Sequence, residues 1–310
     1  MNSKINGFTI LDGGMGRLLE RLGAPFRLPE WSALPLIEAP HFVTEAHSLY
    51  VESGADIITT NSYGIVPHMI GEERFAAGGA SLAARAGNLA RAVADQAHRP
   101  VQVAGSLPPL FESYRPSRFQ PSRAPAILSA LVEGLAPHVD FWLIETQSST
   151  REAFAAIEAV RPTGLPYWVS YTLRDEDGRE GPPQLRSGEA VGEAVAQTLE
   201  QGAASILFNC SQPEAMTQAV EAASAAIHVS GSQDIGLGVY ANAFLPEPPS
   251  DTPYAGISQI RSDLAPDNYL KWAQRWVDRG ATIVGGCCGI GPEHIEAIRR
   301  FRQRQISNEL

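Results

Sequence analysis

The chain's three cysteines are unevenly placed: Cys210 stands alone, while Cys287 and Cys288 are neighbours. The adjacent pair lies within Gly285-Gly286-Cys287-Cys288-Gly289, and glycine on both sides lets the backbone turn so that neighbouring thiols converge. An odd total cannot be fully paired into disulfides inside the chain. Two chemistries suit such a set. Three thiolates around one tetrahedral Zn²⁺ leave a fourth position open, which marks a catalytic zinc. Structural zinc instead uses four protein ligands and closely spaced CxxC pairs, which this chain lacks. A vicinal pair can alternatively serve redox exchange, and the residue types alone leave both readings open.

The elements that must position these thiols are legible as an alternation. Short apolar runs at 9–12, 56–60, 101–105, 141–145, 167–171, 205–209, 236–240 and 281–285 read as strands. Runs such as Phe141-Trp142-Leu143-Ile144 and Ile206-Leu207-Phe208 are continuously apolar, as expected for parallel strands buried on both faces. Helical segments at 40–53, 73–98, 124–137, 150–160, 187–201, 213–226, 266–279 and 292–304 separate or follow them. Eight such pairs in 310 residues predict an α/β protein, a closed (β/α)8 TIM barrel forming one domain over residues 1–310. A doubly wound open sheet is the runner-up, but nothing indicates the strand-order reversal it requires. In the barrel, Cys210 follows the sixth strand and Cys287-Cys288 follow the eighth, so all three thiols meet at the C-terminal rim. The long Pro-rich stretches 107–123, 174–186 and 241–262 also leave C-terminal strand ends, where barrel enzymes build their pockets.

Composition narrows the partners. With 24 basic against 34 acidic residues the net charge is −10, which argues against nucleic-acid and anionic-membrane surfaces. No apolar run approaches the ~20 residues needed to cross a bilayer. The N-terminus lacks the pattern of a signal peptide, so a cytoplasmic location with reduced cysteines is expected. Small-molecule substrates are the expected partners, and an oligomer is allowed but not indicated.

Several motifs, in order and at strand ends, resemble one known family: the zinc-dependent homocysteine S-methyltransferases, including the S-methylmethionine and betaine enzymes. They are Leu11-Asp12-Gly13-Gly14-Met15-Gly16, Thr60-Asn61-Ser62-Tyr63, Ile144-Glu145-Thr146, Phe208-Asn209-Cys210-Ser211, and Gly285 to Gly289 followed by Pro292-Glu293-His294-Ile295. The resemblance implies that Cys210, Cys287 and Cys288 bind Zn²⁺ and that homocysteine sulfur takes the open position. It implies Glu145 as acceptor for the substrate ammonium, with Asp12 helping to orient that group or fix its turn. Backbone N–H groups of Gly13, Gly14 and Met15, opening a helix, suit the substrate carboxylate. Among the rim aromatics Tyr63, Phe111, Tyr114, Tyr240 and Phe244, Tyr63 and Tyr240 are the preferred faces for a cationic methyl donor. His294 reads as structural, and Asn209 as holding the thiol loop in shape.

The implied reaction is methyl transfer from a sulfonium donor, S-methylmethionine first, to L-homocysteine, giving methionine. Leu107-Pro108-Pro109-Leu110-Phe111 stands where many S-methylmethionine-type members carry a glycine-rich segment. Thr146 replaces the tyrosine of the betaine branch, and the chain has no long arm after the last barrel helix, so betaine is disfavoured. The length leaves no room for the appended segments of a full cobalamin methionine synthase. Alternatives are the same chemistry with betaine, dimethylsulfoniopropionate or S-adenosylmethionine as donor, or another thiol acceptor. A different class is a non-catalytic zinc or thiol redox sensor.

Overall fold

The expected strands form, all parallel: β1 (Thr9–Ile10), β2 (Ile57–Thr59), β3 (Gln102–Leu107), β4 (Phe141–Gln147), β5 (Tyr167–Tyr171), β6 (Ser205–Asn209), β7 (Gly236–Tyr240) and β8 (Ile283–Val284). The computed structural model describes residues 7–176, 181–232, 234–245 and 258–309. Strand order is β1-β8-β7-β6-β5-β4-β3-β2, and a parallel bridge between Leu11 and Ile57 joins the two ends into a barrel. Every residue of β4 and β6 is buried, which is why these runs lack polar alternation.

The period of two sorts the side chains between layers. Phe141 and Leu143 point into the barrel with Leu11, Ile57, Ala104, Leu207, Tyr240 and Ile283. Trp142 and Ile144, between and beyond them in sequence, join the larger apolar layer under the helices.

Eleven α-helices surround the described sheet: α1 (Met15–Arg21), α2 (Ala33–Glu38), α3 (Pro40–Ser53), α4 (Pro67–Ile70), α5 (Glu72–Gln96), α6 (Ala124–Leu135), α7 (Thr150–Val160), α8 (Val191–Glu200), α9 (Pro213–Ser230), α10 (Pro266–Val277) and α11 (Pro292–Glu309). α3 and α7 match their expected bounds. For α7 the start signal is a cap: the Ser149 hydroxyl accepts from the Glu152 N–H, and the Glu152 carboxylate accepts in return from the Ser148 N–H. α8 starts at Val191, not at 187, because residues 184–190 fold back as antiparallel bridges Leu173↔Leu185 and Gln184↔Ala190. That fold-back fixes Arg186 at the rim, with its N–H donated to Thr172 O. The short helices α2 and α4 were not expected, since each is too brief to show a periodic stripe. Of the three rim stretches, 107–123 lies wholly within the described residues, whereas 177–180 and 246–257 of the other two lie outside them. Among the described residues, no helix is long and apolar enough to cross a membrane.

Candidate active site

The thiols converge as the strand order requires. β7 lies between β6 and β8, and the loop after it ties both cysteine segments: Cys287 N–H donates to Ala241 O, Ala243 N–H to Cys288 O, and Cys210 N–H to Tyr240 O. The three sulfurs lie within 4.8 Å of one another, with Cys210 Sγ 2.7 Å from Cys287 Sγ and 4.0 Å from Cys288 Sγ. Two features of the backbone make this possible. Cys210 takes a left-handed conformation at φ +51°, an uncommon one for a residue with a side chain. Gly14 passes so close that a Cβ there would stand 2.5 Å from the Cys287 carbonyl oxygen.

Asn209 holds the neighbouring turn. Its amide oxygen accepts from the Thr146 N–H at 2.9 Å and the Ser170 hydroxyl at 2.7 Å, and its Nδ2 donates to Thr146 Oγ1 at 2.8 Å. Thr146 is thereby fixed in the left-handed region at φ +58°, which interrupts the β4 register just beyond Glu145.

Hydrogen bonds from Cys210 and Cys287 hold the Cys288 thiol well below its ordinary pKa, while its contacts with Cys210 and Cys288 push Cys287 well above. Among the described residues no histidine or carboxylate joins the cluster as a further ligand. Three converging sulfurs with no fourth protein ligand, in negatively charged surroundings, are a donor set that suits Zn²⁺ with one position left for a small molecule.

Beside the sulfurs lie two buried carboxylates. Asp12 accepts from the Thr59 N–H at 2.7 Å and the Thr59 hydroxyl at 3.0 Å. Glu145 accepts from the Ser106 hydroxyl at 2.5 Å and the Tyr240 hydroxyl at 3.3 Å. Both carboxyls are pushed up to about 7, chiefly by burial and in smaller part by negative charge nearby, Glu145 acting on Asp12 and Cys210 on Glu145. Among the described residues neither carboxylate has an arginine, lysine or histidine partner. Two desolvated acids without a cation form a site for a cationic ligand.

Asp12, Glu145 and all three cysteines line one cavity of about 1620 Å³ at the C-terminal mouth of the barrel. The turn at Gly13, Gly14 and Met15 lines it too, with one correction to the sequence expectation. The Gly14 N–H is already donated to Ile290 O at 2.9 Å, leaving Gly13 and Met15 as the available donors. Tyr240 sits at the floor against Glu145, not at the rim, so it belongs with the carboxylates. Tyr63 is on the cavity wall as expected, its hydroxyl 2.7 Å from Ser113 Oγ.

Phe111 stacks edge-on with Phe119 against the core, and Phe244 lies under the Arg17 guanidinium. His294 is structural, as expected: Nδ1 accepts from the Gly291 N–H, and Nε2 is 3.0 Å from Leu264 O.

Four cavity or supporting residues had not been singled out. Thr59 and Ser106 hold the acids, and Asp175 with Arg186 forms an ion pair at the rim. Tyr114, which had been passed over for Tyr63, lines the same cavity as Cys210. A tyrosine in a Pro-rich loop carries no signal of where that loop folds.

The family model for homocysteine S-methyltransferase matches residues 9–301. Among curated relatives, selenocysteine methyltransferase of Astragalus bisulcatus is 25% identical, over 94% of this chain and 91% of its own length. Homocysteine S-methyltransferase 1 of Brassica oleracea var. italica is 26% identical, over 97% of this chain and 95% of its own. The metallated form of the homocysteine methyltransferase MmuM from Escherichia coli superposes with a TM-score of 0.74 at 26% identity, covering 95% of this chain and 96% of that one.

Proposed function

The chain belongs to the homocysteine S-methyltransferase family, and from that premise we propose that it transfers a methyl group from a sulfonium donor, S-methylmethionine first, to L-homocysteine, yielding methionine. The observation that carries this reading is the pairing, in one cavity, of three converging thiols with two buried carboxylates lacking a cation. Residues 1–310 are read as one barrel domain, since strand ends and loops of a single sheet supply every part of the site. A cytoplasmic location, where thiols stay reduced, suits this site.

Cys210, Cys287 and Cys288 would hold Zn²⁺, which when bound supplies ionisation of an added thiol at neutral pH. The protein's own residues place the rest of the substrate. Glu145 and Asp12 take the homocysteine ammonium; Ser106 and Tyr240 fix the first carboxylate, and Thr59 fixes the second. The N–H groups of Gly13 and Met15 face the substrate carboxylate. With the α-carbon end of the substrate held by these groups, its sulfur would reach the three thiols, where a donor methyl group could meet it in line.

A lone pair on homocysteine sulfur forms the new S–CH₃ bond as the donor's C–S⁺ bond breaks, and that electron pair returns to the donor sulfur. No proton moves in this step, so no side chain is needed as general base. The negative floor favours a cationic donor over the neutral thioether that it becomes, which assists product release.

The test is a panel of sulfonium and quaternary-ammonium donors incubated with homocysteine, with methionine read directly. Methionine formed from S-methylmethionine is the expected result; none from any donor refutes the reading. A relative named for selenocysteine makes selenol acceptors a natural second arm of the panel.

A further inference from the structure

The cavity wall carries an arginine that has no part in the chemistry described above. The Arg186 side chain is 18% exposed, and its Nη2 lies 2.6 Å from Asp175 Oδ1. Asp175 is itself anchored, its other oxygen accepting the Gln212 N–H at 2.8 Å. The guanidinium lies over the Tyr114 ring, 5.2 Å from its centroid. Cys210, Tyr114, Arg186 and Asp175 all line the same cavity. The other arginines lining it are also paired, Arg115 and Arg118 with Glu112 at 3.3 and 3.8 Å and Arg174 with Glu176 at 3.3 Å, but it is Arg186 that lies over the Tyr114 ring of the wall.

The ion pair with Asp175 runs through Nη2, and among the described residues the buried Nε of Arg186 has no hydrogen-bond partner. A guanidinium carries five donors in a planar fork, so a group paired through Nη2 and stacked on a ring is set up to meet a second carboxylate. The floor cannot take that carboxylate, because Asp12, Glu145 and the thiols make it negative. A donor whose cationic centre is drawn to the floor must therefore direct any carboxylate to the wall that carries Tyr114 and Arg186.

Resting on the transferase reading above, we propose that Arg186 is a specificity-determining residue which recognises the carboxylate of the methyl donor. The enzyme's donors are accordingly carboxylate-bearing sulfonium compounds, and simple trialkylsulfonium cations are poor substrates. Asp175 and Tyr114 are positioning residues that hold the guanidinium over the cavity.

The experiment compares S-methylmethionine, its methyl ester and trimethylsulfonium as donors to homocysteine, using the zinc-loaded wild-type enzyme and Arg186→Gln. The wild type should prefer the free acid over the ester in kcat/KM by at least ~10-fold, the scale of one charge-assisted bond. Arg186→Gln should lose that preference through donor KM while keeping its zinc content and its KM for homocysteine.

Equal use of acid and ester by the wild type overturns the proposal, and that comparison needs no variant. A parallel loss on all three donors, or a raised KM for homocysteine in place of the donor, overturns it as well. No methionine from any donor would instead remove the transferase reading itself.

Discussion

Replacing Glu145 by glutamine keeps the shape of the side chain while deleting its charge, its amide oxygen still accepting from one of the Ser106 and Tyr240 hydroxyls and its amide nitrogen donating to the other. Burial lifts this carboxyl from 4.5 to about 7. At about 1.4 kcal/mol per tenfold, that amounts to ~3 kcal/mol against the ionised form in the unliganded protein. An acid whose folded pKa lies above its unfolded one contributes full stability below pH 4.5. It loses that contribution as the pH rises through about 7. Unliganded Glu145→Gln should thus match the wild type at pH 4 and exceed its unfolding free energy by ~3 kcal/mol at pH 8, read by urea denaturation.

Homocysteine binding should move the other way. Removing one partner of a buried charge pair costs ~2–5 kcal/mol, and Asp12 remains as a second acceptor, so the low end applies. That corresponds to a ~30- to 150-fold rise in Kd. Calorimetry with homocysteine and with 4-mercaptobutyrate, which lacks the ammonium, isolates the interaction. The wild type should favour homocysteine over 4-mercaptobutyrate, and the variant should narrow that preference by about the same factor while Asp12 keeps the remainder. Unchanged homocysteine affinity, or an equal loss for both ligands, would refute the assignment of Glu145. A variant no more stable than wild type at pH 8 would refute the burial argument.

Cys288→Ala should lose both zinc and turnover; full activity with less than about half an equivalent of zinc in the wild type would sink the metal assignment. Homocysteine affinity should rise between pH 6 and pH 8, because Asp12 and Glu145 both ionise near 7 and only their charged forms attract an ammonium. A calorimetric Kd that stays flat across that range is the contrary result. Gly14→Ala places a Cβ against the Cys287 carbonyl. It should cost ~1–3 kcal/mol of stability and loosen zinc retention against a chelator, whereas wild-type values for both would show that the turn can yield.

The sequence by itself determined the strand pattern and the end of the barrel at which the candidate site residues gather. Parallel strands covered on both faces must be apolar throughout, so β4 and β6 announced themselves as unbroken runs. A barrel puts every strand end on one rim, so Cys210, Cys287, Cys288, Asp12 and Glu145 could be assigned to one mouth from their positions alone.

What the tertiary structure decided depends on contacts between segments far apart in the chain, which no local period encodes. Ile290 claims the Gly14 N–H that had been assigned to substrate, and Glu145 draws Tyr240 down to the floor. The fold-back of residues 184–190 delays α8 and stations Arg186 over Tyr114. Loop residues such as these show no hydrophobic rhythm, because their places are set by hydrogen bonds and ring contacts that exist only once the barrel has closed.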